Sequence, residues 1–292
     1  MEHTPGALAA FLGAKPAARG YANAVRGSAG HAASLILRQK RLALVALVAF
    51  LPVLIPLAMA FLSRTQFVDG GNVVFVRLVE QLYISVLAPL LALFFAGMLV
   101  AEDVEMQTMP YILTRPIPRS GWVIGRFIAY LCVSVAILSV SITLTYLASA
   151  TLANLKMTDR NNLILLAHYL GVTAAALAAY GALAVFLGAF TKRPIVYGLL
   201  LLYGWQKIAT VIPGLVDFLT IKKYVDALYP VLATQRAVVE VQTALGSFQK
   251  QVFMVSASRA GLVLACVTAA FLAASIIAVR RREYVSNRVA GS

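Results

Sequence analysis

Six apolar runs, each about as long as a bilayer-spanning helix, constrain this chain more than any other feature. A helix needs about 20 consecutive apolar residues to cross the hydrocarbon core of a bilayer. Backbone groups inside lipid must find their hydrogen-bond partners within the protein, which favours helices. We therefore predict an all-α integral membrane protein with six transmembrane helices. The predicted spans are roughly 42–62, 81–101, 122–150, 161–190, 195–214 and 256–279.

The charge distribution argues for a membrane protein and against a nucleic-acid-binding one. Only 12% of the residues are charged, whereas charged residues make up about a quarter of a typical soluble domain. The net charge of +14 would suggest nucleic acid in a soluble chain. Here the lysines and arginines flank the apolar runs, where they determine topology. We therefore expect the lipid bilayer as a partner and no nucleic acid.

The basic residues also predict which side of the membrane each end of the chain occupies. Six spans place both termini on one side, together with the loop that joins the second and third spans. Lysines and arginines are more numerous on that side, and Arg280, Arg281 and Arg282 directly follow the last span. Positive residues are enriched in cytoplasmic loops. We therefore predict cytoplasmic termini and a multi-pass protein of the cell membrane.

The segments outside the spans give weaker signals. Residues 1–30 are rich in Ala, Gly and Pro and are expected to form a mobile cytoplasmic tail, which leaves residues 31–292 as a single six-span domain. Residues 31–41 combine leucines with a basic cluster, which predicts either a short helix in the membrane interface or a plain basic flank of the first span. Residues 215–255 are expected to form one or two short outer helices.

The most densely charged stretch is the charged loop, residues 102–119, between the second and third predicted spans. Glu102 and Glu105 are three residues apart, so on a helix they share a face. Prolines later in the loop stop helices and force a turn. These residues are consistent with a docking surface, and equally with an inert loop whose acids pair with its own arginines.

The residues around the charged loop resemble a known family. Residues 100–126 read VAEDVEMQTMPYILTRPIPRSGWVIGR. This stretch resembles the cytoplasmic segment of permease subunits of type-2 ABC exporters, which shows an acidic pair, a following Thr, a Leu-rich turn, a small–Pro–x–x–Arg step and then Gly-Lys. Arg126 replaces the usual Lys, and Gln107 stands where Gly is common. The resemblance extends to the six-span layout, the basic interfacial helix and the long outer segment.

The resemblance implies that the charged loop forms a coupling helix that docks on a cytoplasmic ATPase. Two permease chains, identical or different, would join an ATPase dimer. The sequence has no G-x-x-x-x-G-K-[ST] loop, so ATP and Mg²⁺ are expected in the partner, with no cofactor or enzymatic site in this chain. A non-transporting membrane anchor that recruits such a partner is the alternative. The implied contact residues are Glu102, Asp103, Glu105, Thr108, Tyr111, Arg115, Pro116 and Arg119.

Two polar features lie within the predicted spans. Ser141, Thr145 and Ser149 recur every four residues in the third span, where small residues either pack helices closely or line a substrate path. His168 lies near the start of the fourth span and predicts either an interhelical hydrogen bond or a functional group. The predicted spans contain no acid, which argues against ion coupling and a catalytic His–carboxylate pair. An unidentified amphipathic cargo fits such spans.

Overall fold

The computed structural model of this protein describes residues 18–38, 40–62, 71–98, 119–152, 159–191, 193–211, 215–230, 238–243, 246–251 and 255–281. The helices in these ranges are α1 (Ala18–Arg38), α2 (Lys40–Leu62), α3 (Gly71–Gly97), α4 (Arg119–Ser149), α5 (Arg160–Phe190), α6 (194–211), α7 (Ile221–Asp226) and α8 (Ala257–Arg281). A 3-10 helix, Leu215–Leu219, precedes α7. Two strands, β1 (Val238–Thr243) and β2 (Gly246–Gln251), lie between α7 and α8.

Five of these helices are long and apolar enough to cross a membrane within the described part of the chain. They are α2, α3, α4, α5 and α8. The bounds of α2, α4, α5 and α8 agree closely with the first, third, fourth and sixth predicted spans. The fifth predicted span corresponds to α6, which ends at Val211, and its apolar part, Pro194–Trp205, is shorter than the other five. The count of six crossings therefore stays a prediction.

The second predicted span starts too late. The sequence predicts 81–101, but α3 begins at Gly71 and therefore includes Arg77 and Glu80. Two segments of α3, Val79–Leu87 and Ala92–Gly97, form wider π-helical turns. Pro89 has no backbone N–H, so it cannot donate the hydrogen bond that a helical residue normally makes. In the wider turn before it, nearby carbonyl oxygens accept hydrogen bonds from other groups instead. The Ala88 amide donates to the Tyr83 carbonyl, and the Ser85 hydroxyl donates to the Glu80 carbonyl at 2.8 Å.

The N-terminal helix also differs from its predicted extent. The sequence predicts an interfacial helix from residue 31 and a tail before it, whereas α1 begins at Ala18. It packs against the first turns of α4, where the Ser28 hydroxyl donates to the Trp122 carbonyl at 3.1 Å. A β-carbon on Gly125 would lie 2.6 Å from Ser28 Cβ and 2.8 Å from the Val25 carbonyl oxygen. Only glycine permits this close approach of the two helices.

Contacts between α3 and α4 show that the two helices run antiparallel. Phe75, early in α3, makes an edge-on ring contact with Tyr146, late in α4, with ring centroids 5.4 Å apart. Gly97, at the end of α3, instead faces Ala184 near the end of α5. The Tyr130 hydroxyl of α4 donates to the Leu177 carbonyl of α5 at 3.0 Å. The end of α3 and the start of α4 therefore lie at the same end of the bundle.

The described residues 215–230, here called the α7 segment, contact α3 and α5 toward the opposite end. The Lys222 ammonium of α7 approaches the Ser85 hydroxyl at 3.3 Å, and the His168 ring approaches the Leu228 carbonyl at 2.7 Å. The sequence predicts short helices here, and the 3-10 helix and α7 match them. The prediction is wrong for residues 238–243 and 246–251, where β1 and β2 pair antiparallel from Val238–Gln251 to Thr243–Gly246. The β-branched valines of β1 favour a strand.

We expect Gly125→Ala to loosen the attachment of α1. An added methyl group would collide with the Ser28 and Val25 atoms named above, and overpacking of this kind costs about 1–3 kcal/mol. The variant should show a lower midpoint of thermal unfolding in detergent and faster protease cleavage within residues 18–38.

Gly171→Ala is the matched control for this substitution. Gly171 lies in α5, and no atom lies within 4 Å of the position that a β-carbon would occupy there. Alanine at this site should therefore be neutral or stabilising. Equal unfolding midpoints for the two variants would contradict the close contact at Gly125.

Candidate functional site

The charged loop lies largely outside the described residues, but the structure shows what holds its two ends. Its predicted contact residues from Glu102 to Pro116 are not described, and Arg119 is the first residue of α4. The antiparallel packing of α3 and α4 places the end of α3 and the start of α4, the described residues on either side of the loop, at one end of the bundle. The assignment of the loop as a docking surface stays a prediction.

The base of α4, directly after the charged loop, is rigidly packed. Trp122 is 5% exposed and Arg126 is 2% exposed. The Arg126 guanidinium lies over the Trp122 ring, 4.6 Å from its centroid, which is a cation–π contact. The sequence pointed to Gly125 and Arg126 only through a family motif. The structure adds that Gly125 seats α1 and that Arg126 stacks on Trp122.

The polar stripe of α4 faces the interior of the bundle. Ser141, Thr145 and Ser149 are all fully buried. The Tyr83 hydroxyl of α3 lies 2.7 Å from Ser141 Oγ and 2.6 Å from Thr145 Oγ1, and Ser141 Oγ also donates to the Ala49 carbonyl of α2 at 2.7 Å. These are contacts that join three helices. The stripe's alternative assignment to a substrate path stays a prediction.

Ser149 and His168 have different surroundings from the other two residues assigned to that path. The Ser149 hydroxyl has no hydrogen-bond partner among the described residues. His168 is exposed on α5, and its Nε2 lies 2.7 Å from the Leu228 carbonyl oxygen. Because a carbonyl only accepts, the ring nitrogen is the donor. This bond tethers the end of the α7 segment to α5.

Glu80 is a candidate that the sequence pattern did not single out. The Tyr169 hydroxyl of α5 donates to Glu80 Oε1 at 2.6 Å, and Glu80 is half-buried. The predicted spans contain no acid because the second of them starts at residue 81. The apolar residues 73–76 run into Glu80 without a helix breaker, and that continuity could have revealed it. An ionisable residue within a spanning helix is a functional candidate.

Glu80 lies in a polar cluster that connects α3, α5 and α7. The Lys222 ammonium contacts the Asp226 carboxylate at 3.0 Å as well as the Ser85 hydroxyl. The ring centroids of Tyr169 and Tyr229 lie 6.2 Å apart. Burial raises the pKa of the Tyr229 phenol, and the neighbouring Asp226 carboxylate raises it further. These contacts hold the α7 segment against the ends of α3 and α5.

The Tyr169 hydroxyl should stabilise the Glu80 carboxylate. A hydrogen bond to a charged group contributes about 1.5–3 kcal/mol, so Tyr169→Phe should lower the midpoint of thermal unfolding in detergent. The phenylalanine ring keeps the contacts with Phe75 and Tyr229. Tyr197→Phe, at a site 55% exposed, is the control and should leave the midpoint unchanged. Equal midpoints for the two variants would show that the Glu80–Tyr169 bond adds no stability.

Comparison with known proteins identifies the family of this bundle. The family model described as ABC-2 family transporter protein matches residues 36–204, which is more than half of the chain and extends from the end of α1 into α6. The comparison with curated proteins gives no match. The matched region includes the charged loop, the polar stripe of α4 and Glu80. The chain therefore belongs to the ABC-2 transporter family and is a multi-pass membrane permease component of an ABC transporter, not its ATPase.

Proposed function

We propose that this chain is the transmembrane permease subunit of an ABC exporter, coupling a cytoplasmic ATPase dimer to the movement of an amphipathic substrate. The observation that carries the proposal is the family match over residues 36–204, which spans the charged loop. The absence of a phosphate-binding loop from the sequence means that the energy of ATP would have to come from another chain. ATP and Mg²⁺ would be bound there.

The packing of the helices that flank the charged loop would allow a movement of the loop to be transmitted to the bundle. Both ends of the loop are attached to helices that contact each other, and α1 is seated on the first turns of α4 through Gly125 and Ser28. A displacement of the loop would therefore move α4 together with α1, rather than only the loop. We propose that Glu102 and Glu105 dock on the ATPase, with Arg115 and Arg119 beside them.

We further propose that this end of the bundle faces the cytoplasm of a cell-membrane protein. The start of α4, the charged loop and the end of α8, with Arg280 and Arg281, share one end if α6 and the five long helices all cross the bilayer. Positive residues favour the cytoplasmic side. In this orientation α1 would lie at the headgroup level, and the α7 segment would lie at the outer surface.

The helices α2 and α8 expose apolar side chains on which a second permease chain can pack. Leu44, Leu47 and Leu51 of α2 are exposed, as are Leu262 and Ile277 of α8. Within a bilayer such apolar faces contact either lipid or another helix. We propose that two permease chains, identical or different, assemble with two ATPase chains.

Charge reversal at the docking residues should uncouple the two proteins. Glu102→Lys combined with Glu105→Lys should weaken the ATPase–permease complex about 100-fold, since like charges facing each other cost several kcal/mol. The ATPase is the chain carrying a G-x-x-x-x-G-K-[ST] loop that purifies with the wild-type permease from native membranes. Affinity is measured with the purified components in lipid nanodiscs.

The control is Glu240→Lys, a charge reversal in β1 between α7 and α8. It should leave both the affinity and the unfolding midpoint unchanged. If the double variant binds the ATPase as tightly as the wild type, Glu102 and Glu105 are not docking residues. If the wild type binds an ATPase but adds no nucleotide-dependent transport to vesicles, the chain is a membrane anchor instead.

A further inference from the structure

A large apolar cavity lies beside the bundle, and its lining residues all come from α5 and the elements that follow it. It occupies about 630 Å³ between α5, α6 and α8 and is covered by the segment from Phe218 to Tyr224. Its inner wall includes Phe186 of α5 and Leu264 and Phe271 of α8. The volume falls within the range of about 300–1,000 Å³ that is usual for small-molecule sites.

The cavity lies beside the middle of α6. The α6 side chains that line it run from Leu200 to Gln206, and Phe218 and Leu219 of the 3-10 helix lie across it. The neighbouring α5 and α8 pack against each other through Phe186 and Phe271, whose ring centroids are 5.8 Å apart. Leu264, only 4% exposed, forms part of the cavity wall on α8.

Two exposed leucines at the cavity's edge indicate that it opens sideways. Leu200 of α6 is 70% exposed and Leu219 is 75% exposed, and both line the cavity. Both leucines belong to a membrane protein, in which exposed apolar side chains face lipid. A molecule can therefore enter laterally from the bilayer without crossing a polar surface.

The chemistry of the walls selects the occupant. Water in a cavity needs two to four polar partners, and apolar cavities stay dry. A void of this size left empty would cost its walls many dispersion contacts. The walls are mostly apolar, and their polar side chains have partners within the protein. Gln206, which is 6% exposed, hydrogen-bonds Tyr180, while the Thr220 and Tyr224 hydroxyls donate to the Asp217 and Phe218 carbonyls. An aliphatic chain therefore fits these walls.

From this arrangement we propose that the cavity holds one acyl chain of a bilayer phospholipid. The bound chain lies against α5, α6 and α8, where it fills the space that the lining side chains leave open. The α7 segment closes over it through Phe218 and Tyr224. This site is separate from ATPase coupling, so its failure would leave the proposed transport function untouched.

Trp205 lines the cavity and reports on its contents. The chain has only two tryptophans, and the other, Trp122, does not line the cavity but is buried against α1. The purified full-length chain, stripped of lipid in detergent, is titrated with phosphatidylcholine brominated in its acyl chains. The fluorescence should fall saturably, and unbrominated phosphatidylcholine should restore it. Trp205→Phe should remove the saturable part.

A matched pair of substitutions tests the location. Leu264→Phe narrows the cavity, and overpacking costs of about 1–3 kcal/mol correspond to roughly tenfold weaker lipid binding. Leu262→Phe makes the same change two residues away on α8, where the side chain is 65% exposed, and should bind as the wild type does. Val267→Leu, a smaller change in the same wall, serves if Leu264→Phe does not fold.

Three results would overturn the proposal. The first is quenching in the wild type that rises without saturation as brominated lipid is added, since this shows only general contact with lipid. The second is equal lipid affinity in the Leu264→Phe and Leu262→Phe variants. The third is saturable quenching that survives in Trp205→Phe, which would place the bound lipid elsewhere.

Discussion

The antiparallel pairing of α3 with α4 is the constraint on which the rest of the bundle depends. The Tyr83 hydroxyl reaches both Ser141 and Thr145, and Ser141 in turn reaches the backbone of α2. One buried cluster therefore fixes the relative heights of three helices. Because lipid offers no competing hydrogen bonds, these contacts define the alignment more strictly than apolar packing would. The end of α3 and the start of α4, which flank the charged loop, lie at the same end of the bundle as a result.

The sequence predicts the long helices well and their irregular extensions poorly. Apolar length alone located α2, α4, α5 and α8, since crossing a bilayer demands that length. The same criterion failed at α3, because Arg77 and Glu80 interrupt the hydropathy although the backbone stays helical. The start of α1 at Ala18, before the helix predicted from residue 31, was also missed. The alanines and glycines of residues 18–30 form a helix whose closeness to α4 depends on Gly125, a tertiary contact that local pattern does not show.

The candidate site was predictable in part. The polar stripe at Ser141, Thr145 and Ser149 is visible as a four-residue spacing, but its partner Tyr83 lies in another helix and cannot be found from spacing. Glu80 and Tyr169 are separated by more than half the matched family region, so local sequence pattern does not reveal their bond either. The charged loop is the reverse case. Its residues carry the strongest motif in the chain, whereas the structure describes only the helices at its ends.

The polar cluster around Glu80 holds the α7 segment in a defined position. Lys222 and His168 attach it to α3 and α5, while its own ion pairs, Lys222–Asp226 and Lys223–Asp217, keep its charges satisfied. The segment is thus coupled to α3, whose other end leads into the charged loop, and to α5, which hydrogen-bonds α4 through Tyr130. The helices α3 and α5 therefore provide a continuous physical connection between the two ends of the bundle.

The seating of α1 on α4 has a consequence for the surrounding bilayer. If α1 lies at the headgroup level, as proposed, its contact with α4 at Gly125 and Ser28 would carry it through the headgroup layer whenever α4 tilts. That movement would displace lipid and work against the lateral pressure of the leaflet. The energetics of the conformational cycle would then depend on membrane composition, with tightly packed headgroups resisting the stroke and loosely packed ones yielding to it.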